Sequence, residues 1–327
     1  MPRQLSRRTA LAGLGAALVT GCTASPAPPA FPDLPSGTET PSPAPVPNVT
    51  VTAATGEVVV PGAPRRVVVL DTAELDSAFT LGIPPVGAAR AAADRELPDY
   101  WPAAWLDRIG IVGDIGSPDS ARISALAPEL LLGNQTRDGA RYDALRAVAP
   151  TVLSRTTGFP WKENFQLHAQ ALGRQAQGAV VSAEYGRHVG RVVQAIGNAG
   201  SGGRRISVVR FVEGSPTVRL YGKQSFVGTL LTDLQLGRPD PQNVDRFAVE
   251  VPPDRIGQAD GDVLFYSTYG DPAKAGTDAV LAGAGWQALG AVRAHRAFAV
   301  EDQLWFEGIG YTGANLILAE LQHFLGA

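Results

Sequence analysis

Arginines and aromatic rings are the side chains of this sequence that bear most directly on ligand chemistry. Asn134, Gln135 and Arg137 follow one apolar run, Trp161 opens a helical stretch, and Arg210, Arg219, Tyr221, Tyr269 and Trp305 stand in the second half. A guanidinium presents a planar fork of donors suited to oxyanions, and rings supply flat apolar contact. Together they suit a bulky ligand with an anionic oxygen surface. Some members also have ordinary readings, Arg137 as a solvated loop charge and Tyr221 as a ring packed on a sheet. Arg219 is the sharpest case. In Val218-Arg219-Leu220-Tyr221 the period of two puts Arg219 and Tyr221 on one strand face and the apolar pair on the other. A charge on an otherwise buried strand needs a partner, either a ligand or an internal carboxylate, and the ligand is the favoured expectation.

Bond-making chemistry finds no comparable material. The four histidines, His168, His188, His295 and His323, form no His-x-His or HExxH pattern and have no thiol beside them. Each is expected at the surface. Gly283-x-Gly285 and Gly308-x-Gly310 lack the preceding strand and following spacing of a dinucleotide loop, and neither a GxSxG nor a P-loop occurs. No catalytic residue, protein metal ligand or cofactor is assigned. A bare transition-metal ion needs imidazole or thiolate ligands, so any metal must arrive already chelated. A net charge of -3, with no Lys/Arg run beyond the first residues, leaves no footprint for nucleic acid.

The elements that must position these residues alternate. Val67-Val68-Val69-Leu70 reads as a strand buried on both faces, stopped by Asp71-Thr72 as a helix cap, with a helix through Leu75, Phe79 and Leu81. Pro85-Val86-Gly87, Leu130-Leu131-Leu132 and Thr151-Val152-Leu153 read as further strands, with helical turns at Ile123 to Ala127 and Tyr142 to Val148. Residues 160–198 carry no strand signal, and their apolar residues fit helical spacing. Strands follow at Ile206 to Val212, Val218 to Tyr221, Val263 to Tyr266 and Ala297 to Val300, with helices near Phe226 to Leu234, Trp286 to Leu289 and Ala314 to Phe324. Alternation of this kind implies an α/β fold with mostly parallel sheets. The expected organisation is an N-terminal lobe over 51–159, a helical connector over 160–198 and a C-terminal lobe over 199–327, with a crevice between the lobes.

Ahead of the lobes, Arg3, Arg7 and Arg8 precede an apolar run from Ala10 to Thr20, shorter than the roughly 20 residues that span a bilayer. Residues 1–21 therefore read as a signal peptide. Val19-Thr20-Gly21-Cys22 resembles the lipoprotein box in which the cysteine is acylated, and Cys22 is the only cysteine in the chain. Ser6-Arg7-Arg8 also resembles a twin-arginine export signal, so export by either route stays open. Residues 22–50 are dominated by Pro, Ala, Ser and Thr, a composition that favours an extended tether over a core.

From Arg65 to Leu325 the chain resembles the iron-siderophore binding lipoproteins of ABC importers, the class III periplasmic-type binding proteins. The resemblance rests on Pro64 to Asp71 with Leu81 to Gly87, Ser124 to Asn134 and Ala149-Pro150-Thr151-Val152. It rests most specifically on Trp161 to Phe165 leading to Ala171-Leu172-Gly173, and on Ser207 to Phe211 through Tyr221 to Ser225-Phe226-Val227-Gly228. It implies two Rossmann-like lobes joined by a single long α-helix, with modest closure on the ligand. It implies ligand contact from Arg219, Tyr221, Ser225 and Phe226, with Arg210 and the residues after Leu130 facing the same cleft. Family members that take tri-anionic catecholates tend to carry an arginine in the segment matching Ser225 to Gly228. That segment is uncharged here, which points to hydroxamate or mixed hydroxamate chelates. The family also places one carboxylate on each lobe to meet arginines of the permease. Asp254 matches the second, whereas Ala121 stands where the first is commonly glutamate, with Asp119 as the nearest substitute.

The expectation is thus a non-enzymatic, monomeric lipoprotein on the extracytoplasmic face of the membrane that hands a ferric siderophore to an ABC permease. Asn134, Arg137, Trp161, Arg210, Arg219, Tyr221, Ser225, Phe226, Tyr269 and Trp305 are its candidate ligand residues. Capture of haem or a corrinoid, and a non-transport envelope scaffold that kept the fold, are the alternatives.

Overall fold

The computed structural model describes residues 46–94 and 96–327; the leader and Cys22 lie outside the described residues. A hairpin of β1 (Val49–Ala53) and β2 (Gly56–Val60) opens the described chain, so Val49 and Thr50, expected in the tether, are strand.

The first α/β lobe is built on β3 (Val67–Val69), whose residues are buried on both faces. The strand can be uninterruptedly apolar because helices cover both sides of its sheet. It is followed by β4 (Gly87–Arg90), β5 (Gly110–Asp114), β6 (Ser117–Pro118), β7 (Leu130–Asn134) and β8 (Thr151–Ser154). The sheet order is β6-β5-β4-β3-β7-β8, parallel throughout except for β6. Strand β4 begins at Gly87, at the end of the expected Pro85 to Gly87 run, because Pro84 and Pro85 have no N–H to give a ladder. From β3 the chain order proceeds outward on both sides, through β4 to β5 on one and through β7 to β8 on the other. The carboxyl ends of β3, β4 and β7 therefore meet at a switch point, where open α/β sheets hold ligands.

The second lobe has β9 (Ile206–Val212), β10 (Val218–Tyr221), β11 (Ala248–Val251), β12 (Val263–Tyr269) and β13 (Ala297–Ala299). Their order is β11-β10-β9-β12-β13, with β9, β12 and β13 parallel and β10 antiparallel to both its neighbours. Between the two sheets run the helices Trp161–Ala171 and Gln175–Asn198, separated at Gly173, whose φ of 65° suits glycine. The second helix has 24 residues and so spans about 36 Å.

One apolar cluster is continuous through both lobes and the connector, taking in Val67 and Leu132, Phe165 and Tyr185, and Ile206, Phe265 and Leu318. Rigid sliding of one lobe on the other would disrupt this shared core. A polar tie reinforces it. The buried carboxylate of Asp76, in the helix Thr72–Thr80, accepts from the backbone N–H groups of Thr312 and Gly313 at 3.2 and 3.0 Å. These are free amides of the first turn of the helix Tyr311–Phe324 in the other half of the chain. Gly310 is needed beside it, since a Cβ there would collide with the Asp76 carboxylate.

His168 overturns the surface expectation for histidines. It is fully buried in the Trp161–Ala171 helix, with Nδ1 2.8 Å from Ser77 Oγ and Nε2 3.7 Å from Glu74. Burial lowers its pKa to about 3 and raises that of Glu74, so the two pack as neutral groups. Among the described residues no helix is long and apolar enough to cross a membrane.

Candidate functional site

Arg210 and Arg219 are direct cross-strand partners on β9 and β10. Side chains so placed project from one sheet face about 5 Å apart, and like charges in that position repel. The alternation read from the sequence accounts for the arrangement. Val218 and Leu220 fill the core on one side of β10, while Tyr221 joins the core on the other. Each guanidinium is held by an acid. Arg210 Nε donates to Asp302 Oδ1 at 2.8 Å, Nη2 pairs with the same carboxylate, and Glu307 Oε1 lies 3.5 Å from Nη2. Arg219 Nε donates to Glu250 Oε1 at 2.6 Å. The favoured expectation that Arg219 lacks an internal partner is thus corrected: β11 runs alongside β10 and sets Glu250 opposite Arg219.

Aromatic rings fix the Arg210 fork further. Its Cζ lies 4.8 Å from the Tyr269 ring centre and 4.9 Å from that of Phe306. Such stacking keeps a guanidinium planar against a wall and orients its N–H groups. Phe306 and Glu307 reach this wall from a five-residue π-helical turn, Gln303–Glu307. Turns of that kind are rare and concentrate at functional sites. The Tyr269 hydroxyl accepts from the backbone N–H of Ala93 at 3.0 Å, joining the end of β12 to the loop after β4.

The first lobe contributes a third guanidinium. Arg137 sits one turn beyond β7, its side chain 44% exposed, and pairs through Nε with buried Asp71 at 2.7 Å. Arg137, Arg210 and Arg219 all border one cleft of two compartments. One, of about 310 Å³, runs from Asp71, Thr72 and Ala91 across to Tyr269 and Glu307. The other, of about 160 Å³, continues to Tyr221, Phe226 and Phe247. The first-lobe walls come from the carboxyl ends of β3, β4, β7 and β8, as the switch point requires. A groove of about 650 Å³ lies elsewhere, against Phe79 to Gly82 and Gly173 to Gln177, but only one charged side chain borders it, so size does not mark the site.

Burial first, and the nearby Asp94 carboxylate second, push the Glu307 carboxyl up to about 8. Glu307 is therefore an uncharged acid at neutral pH, and the close pairing of Arg210 there is with Asp302.

Other expected ligand residues are placed differently. Asn134 is fully buried; its Nδ2 donates to Asp71 Oδ2 at 3.0 Å and its Oδ1 accepts from the N–H of Arg137 at 3.2 Å. It positions the Asp71–Arg137 pair and has no surface left for a ligand. Trp161 is a core residue, edge-on to Tyr185, Phe226 and Tyr311, with its Nε1 donating to Thr229 Oγ1. Ser225 caps the helix Phe226–Asp233, accepting from the Gly228 N–H at 3.0 Å and donating to the Gly222 carbonyl. Trp305 is fully buried against Phe265, borders only the smaller compartment, and donates its N–H to Glu320. Phe306, Glu307 and Phe247 were not singled out in the sequence. The first two follow Trp305, and only knowledge of the π turn says that Phe306 and Glu307 face the arginine-bordered compartment while Trp305 does not. Phe247 lies in a loop without periodicity.

Several comparisons bear on this arrangement. The family described as periplasmic binding protein matches residues 67–304. The chain is 31% identical over 279 residues to a probable siderophore-binding lipoprotein, YfiY, of Bacillus subtilis, covering 81% of this chain and 83% of that protein. It is 26% identical to the Fe(3+)-citrate-binding protein YfmC of the same organism, covering 78% and 79%. Among solved structures it superposes on Staphylococcus aureus SirA complexed with staphyloferrin B with a TM-score of 0.76 and 24% identity, over 85% of this chain and 98% of that one. With the two α/β lobes, the bridging helix and the cleft at their strand ends, the chain belongs to the periplasmic binding protein family, whose members bind substrates without transforming them.

Proposed function

We propose that the chain captures a ferric siderophore, of hydroxamate or mixed hydroxamate type, outside the cell and delivers it to an ABC importer. The observation that carries the reading is the cross-strand pair Arg210 and Arg219, faced by Arg137 from the other lobe. Two like charges side by side on one sheet face are costly unless anions pair with them; Asp302 takes the Nε–Nη2 edge of Arg210 and Glu250 takes Nε of Arg219, and an incoming anion would bridge the donors left over. The uncharged segment Ser225 to Gly228 favours a chelate of low charge, and a mixed chelate with one free carboxylate would satisfy the arginines. The relatives named for siderophore and Fe(3+)-citrate binding agree with this class of ligand. No amino acid touches the metal in this mechanism. Guanidinium groups take the outer oxygens and the rings take the apolar flanks.

In the same proposal Cys22 carries the lipid, the Pro-rich stretch is the spacer, and the chain works as a monomer. Asp254 and Asp119 meet the permease, although the Asp119 carboxylate also caps the helix Ser120–Ala125. Titration with ferric trihydroxamate, mixed citrate-hydroxamate and catecholate complexes, followed by tryptophan fluorescence, tests the reading. Saturable quenching by the first two classes is expected, and no quenching by any of the panel overturns it.

Arg219→Ala is expected to weaken binding of the preferred chelate more than tenfold. Glu250→Gln removes the competing carboxylate at 2.6 Å and should tighten binding several-fold. A loss of affinity in both variants would make the pair a structural unit and remove Arg219 from the ligand surface.

Glu307 sets the pH dependence. Below its raised pKa of about 8 the group is neutral; as pH rises through that value it becomes a carboxylate 3.5 Å from Arg210, beside Asp302 and Asp94. The cleft then loses positive potential, so affinity for an anionic chelate should fall between pH 7 and pH 9. Glu307→Gln should flatten that part of the profile. A wild-type affinity equal at both pH values would remove Glu307 from this role.

A further inference from the structure

Capture of an anionic chelate by the three guanidinium groups leaves the smaller compartment unexplained. It opens off the arginine-bordered space and shares Arg137, Arg210, Arg219, Phe306 and Ile309 with it. Beyond that shared edge, apart from Thr157 and Gly158 at the rim, its walls turn apolar: Tyr221, Phe226, Val227, Phe247 and Trp305. The polar atoms of these rings are engaged at its back or at its arginine edge. Trp305 Nε1 donates to Glu320 at 2.6 Å, and the Tyr221 phenol lies towards Arg210 and Arg219. What remains is mostly aromatic carbon.

Size and rigidity narrow the occupant. The compartment measures about 160 Å³. An apolar cavity of about 150 Å³ is enough for one benzene ring. Its outer wall, Phe247, is 51% exposed, yet it is held in place. The Phe247 carbonyl accepts from the Gly222 N–H at 2.9 Å, and its ring stands edge-on to Tyr221 at 5.3 Å. The Arg219 guanidinium lies 5.6 Å from the same ring centre, so charge and ring are set side by side at the junction of the compartments. An exposed ring fixed at the mouth of an aromatic slot is placed to complete a stack.

We propose that this compartment is a subsite for one flat, apolar, ring-sized arm of the ligand, an aromatic group carried beside the anionic chelating head and not used to ligate iron. The proposal deepens the siderophore reading and rests on it for the identity of the head. The ligand is therefore amphiphilic, with its oxygens at the arginines and its ring against Phe247, Tyr221 and Phe226.

A matched pair of probes tests it on the purified full chain. Ferric acetohydroxamate and ferric benzohydroxamate share a chelating head and differ by methyl against phenyl; acetate and benzoate repeat the comparison without iron. Calorimetry for the complexes and ligand-observed NMR for the acids give the affinity ratio within each pair. In wild type the phenyl member should bind at least tenfold tighter in both pairs. Phe247→Ala, which removes an exposed ring, and Thr157→Phe, which fills the slot from its rim, should each bring the ratio close to one. Equal affinities in wild type, or a preference that survives both substitutions, overturn the subsite. If neither ferric complex binds while benzoate outcompetes acetate in a Phe247-dependent way, the subsite stands and the siderophore assignment falls.

Discussion

Replacing Arg210 with methionine is expected to lower affinity for the ferric chelate at least a hundredfold and to destabilise the fold by about 3–5 kcal/mol. Two effects act together. The ligand loses a donor fork pre-oriented between Tyr269 and Phe306, and the site keeps Asp302 as an unpaired, largely buried charge. Repulsion from that carboxylate then acts on any anion entering the cleft. The two effects separate in the double variant Arg210→Met/Asp302→Asn, in which no buried charge is stranded. Most of the stability should return, although Ser267, whose hydroxyl donates to Asp302 at 2.5 Å, must find its bond in the new amide. Affinity should stay low, because no guanidinium is restored. Urea denaturation and fluorescence titration of the three proteins read the two quantities separately. A double variant that binds as wild type does would show that Arg210 serves the fold alone.

The second large effect concerns stability, at the tie between the lobes. Asp76→Ala strands the N–H groups of Thr312 and Gly313 and removes the bonds from Thr80 and Tyr100. A buried unpaired donor costs about 1–3 kcal/mol, so a loss of about 3 kcal/mol is expected from the pair of amides. The loss depends on pH in a definite direction. Burial raises the pKa of Asp76 to about 6, against the ordinary 3.8 of an unfolded chain. The folded state thus holds the proton more tightly. The favourable contribution is complete below pH 4 and declines as pH rises through about 6. The gap between wild type and Asp76→Ala should therefore narrow by on the order of 1 kcal/mol between pH 5 and pH 7.5. Other titrating groups, His168 among them, are common to both proteins and cancel in the difference. A gap that widens with pH would mean that the ionised form is the one the fold prefers.

Corrections at the site share one physical origin. Asn134, Trp161 and Ser225 stand in the expected elements and close to the cleft, but their polar atoms are consumed by a neighbour: the Asp71–Arg137 pair, Thr229 and the Phe226–Asp233 helix end. Residue type says that a group can bind; only the surrounding chain says whether its capacity is already used. Arg219 teaches the same lesson. Its place on the polar face of β10 was legible from alternation, while Glu250 lies 31 positions away and reaches it through strand pairing.

Local physics, by itself, determined the alternating α/β order, the buried strands β3 and β7 and the two faces of β10. Each follows from side-chain type at a period of two or 3.6 along a short stretch. Tertiary structure alone decided that Arg137, from the first lobe, joins Arg210 and Arg219 from the second, and that Phe247 closes an aromatic slot beside them. It likewise decided that Glu307 is neutral, since its proton affinity is set by burial and by Asp94, more than two hundred residues earlier in the chain. Contacts between residues far apart in sequence carry no periodic signature, because what brings them together is the packing of whole elements.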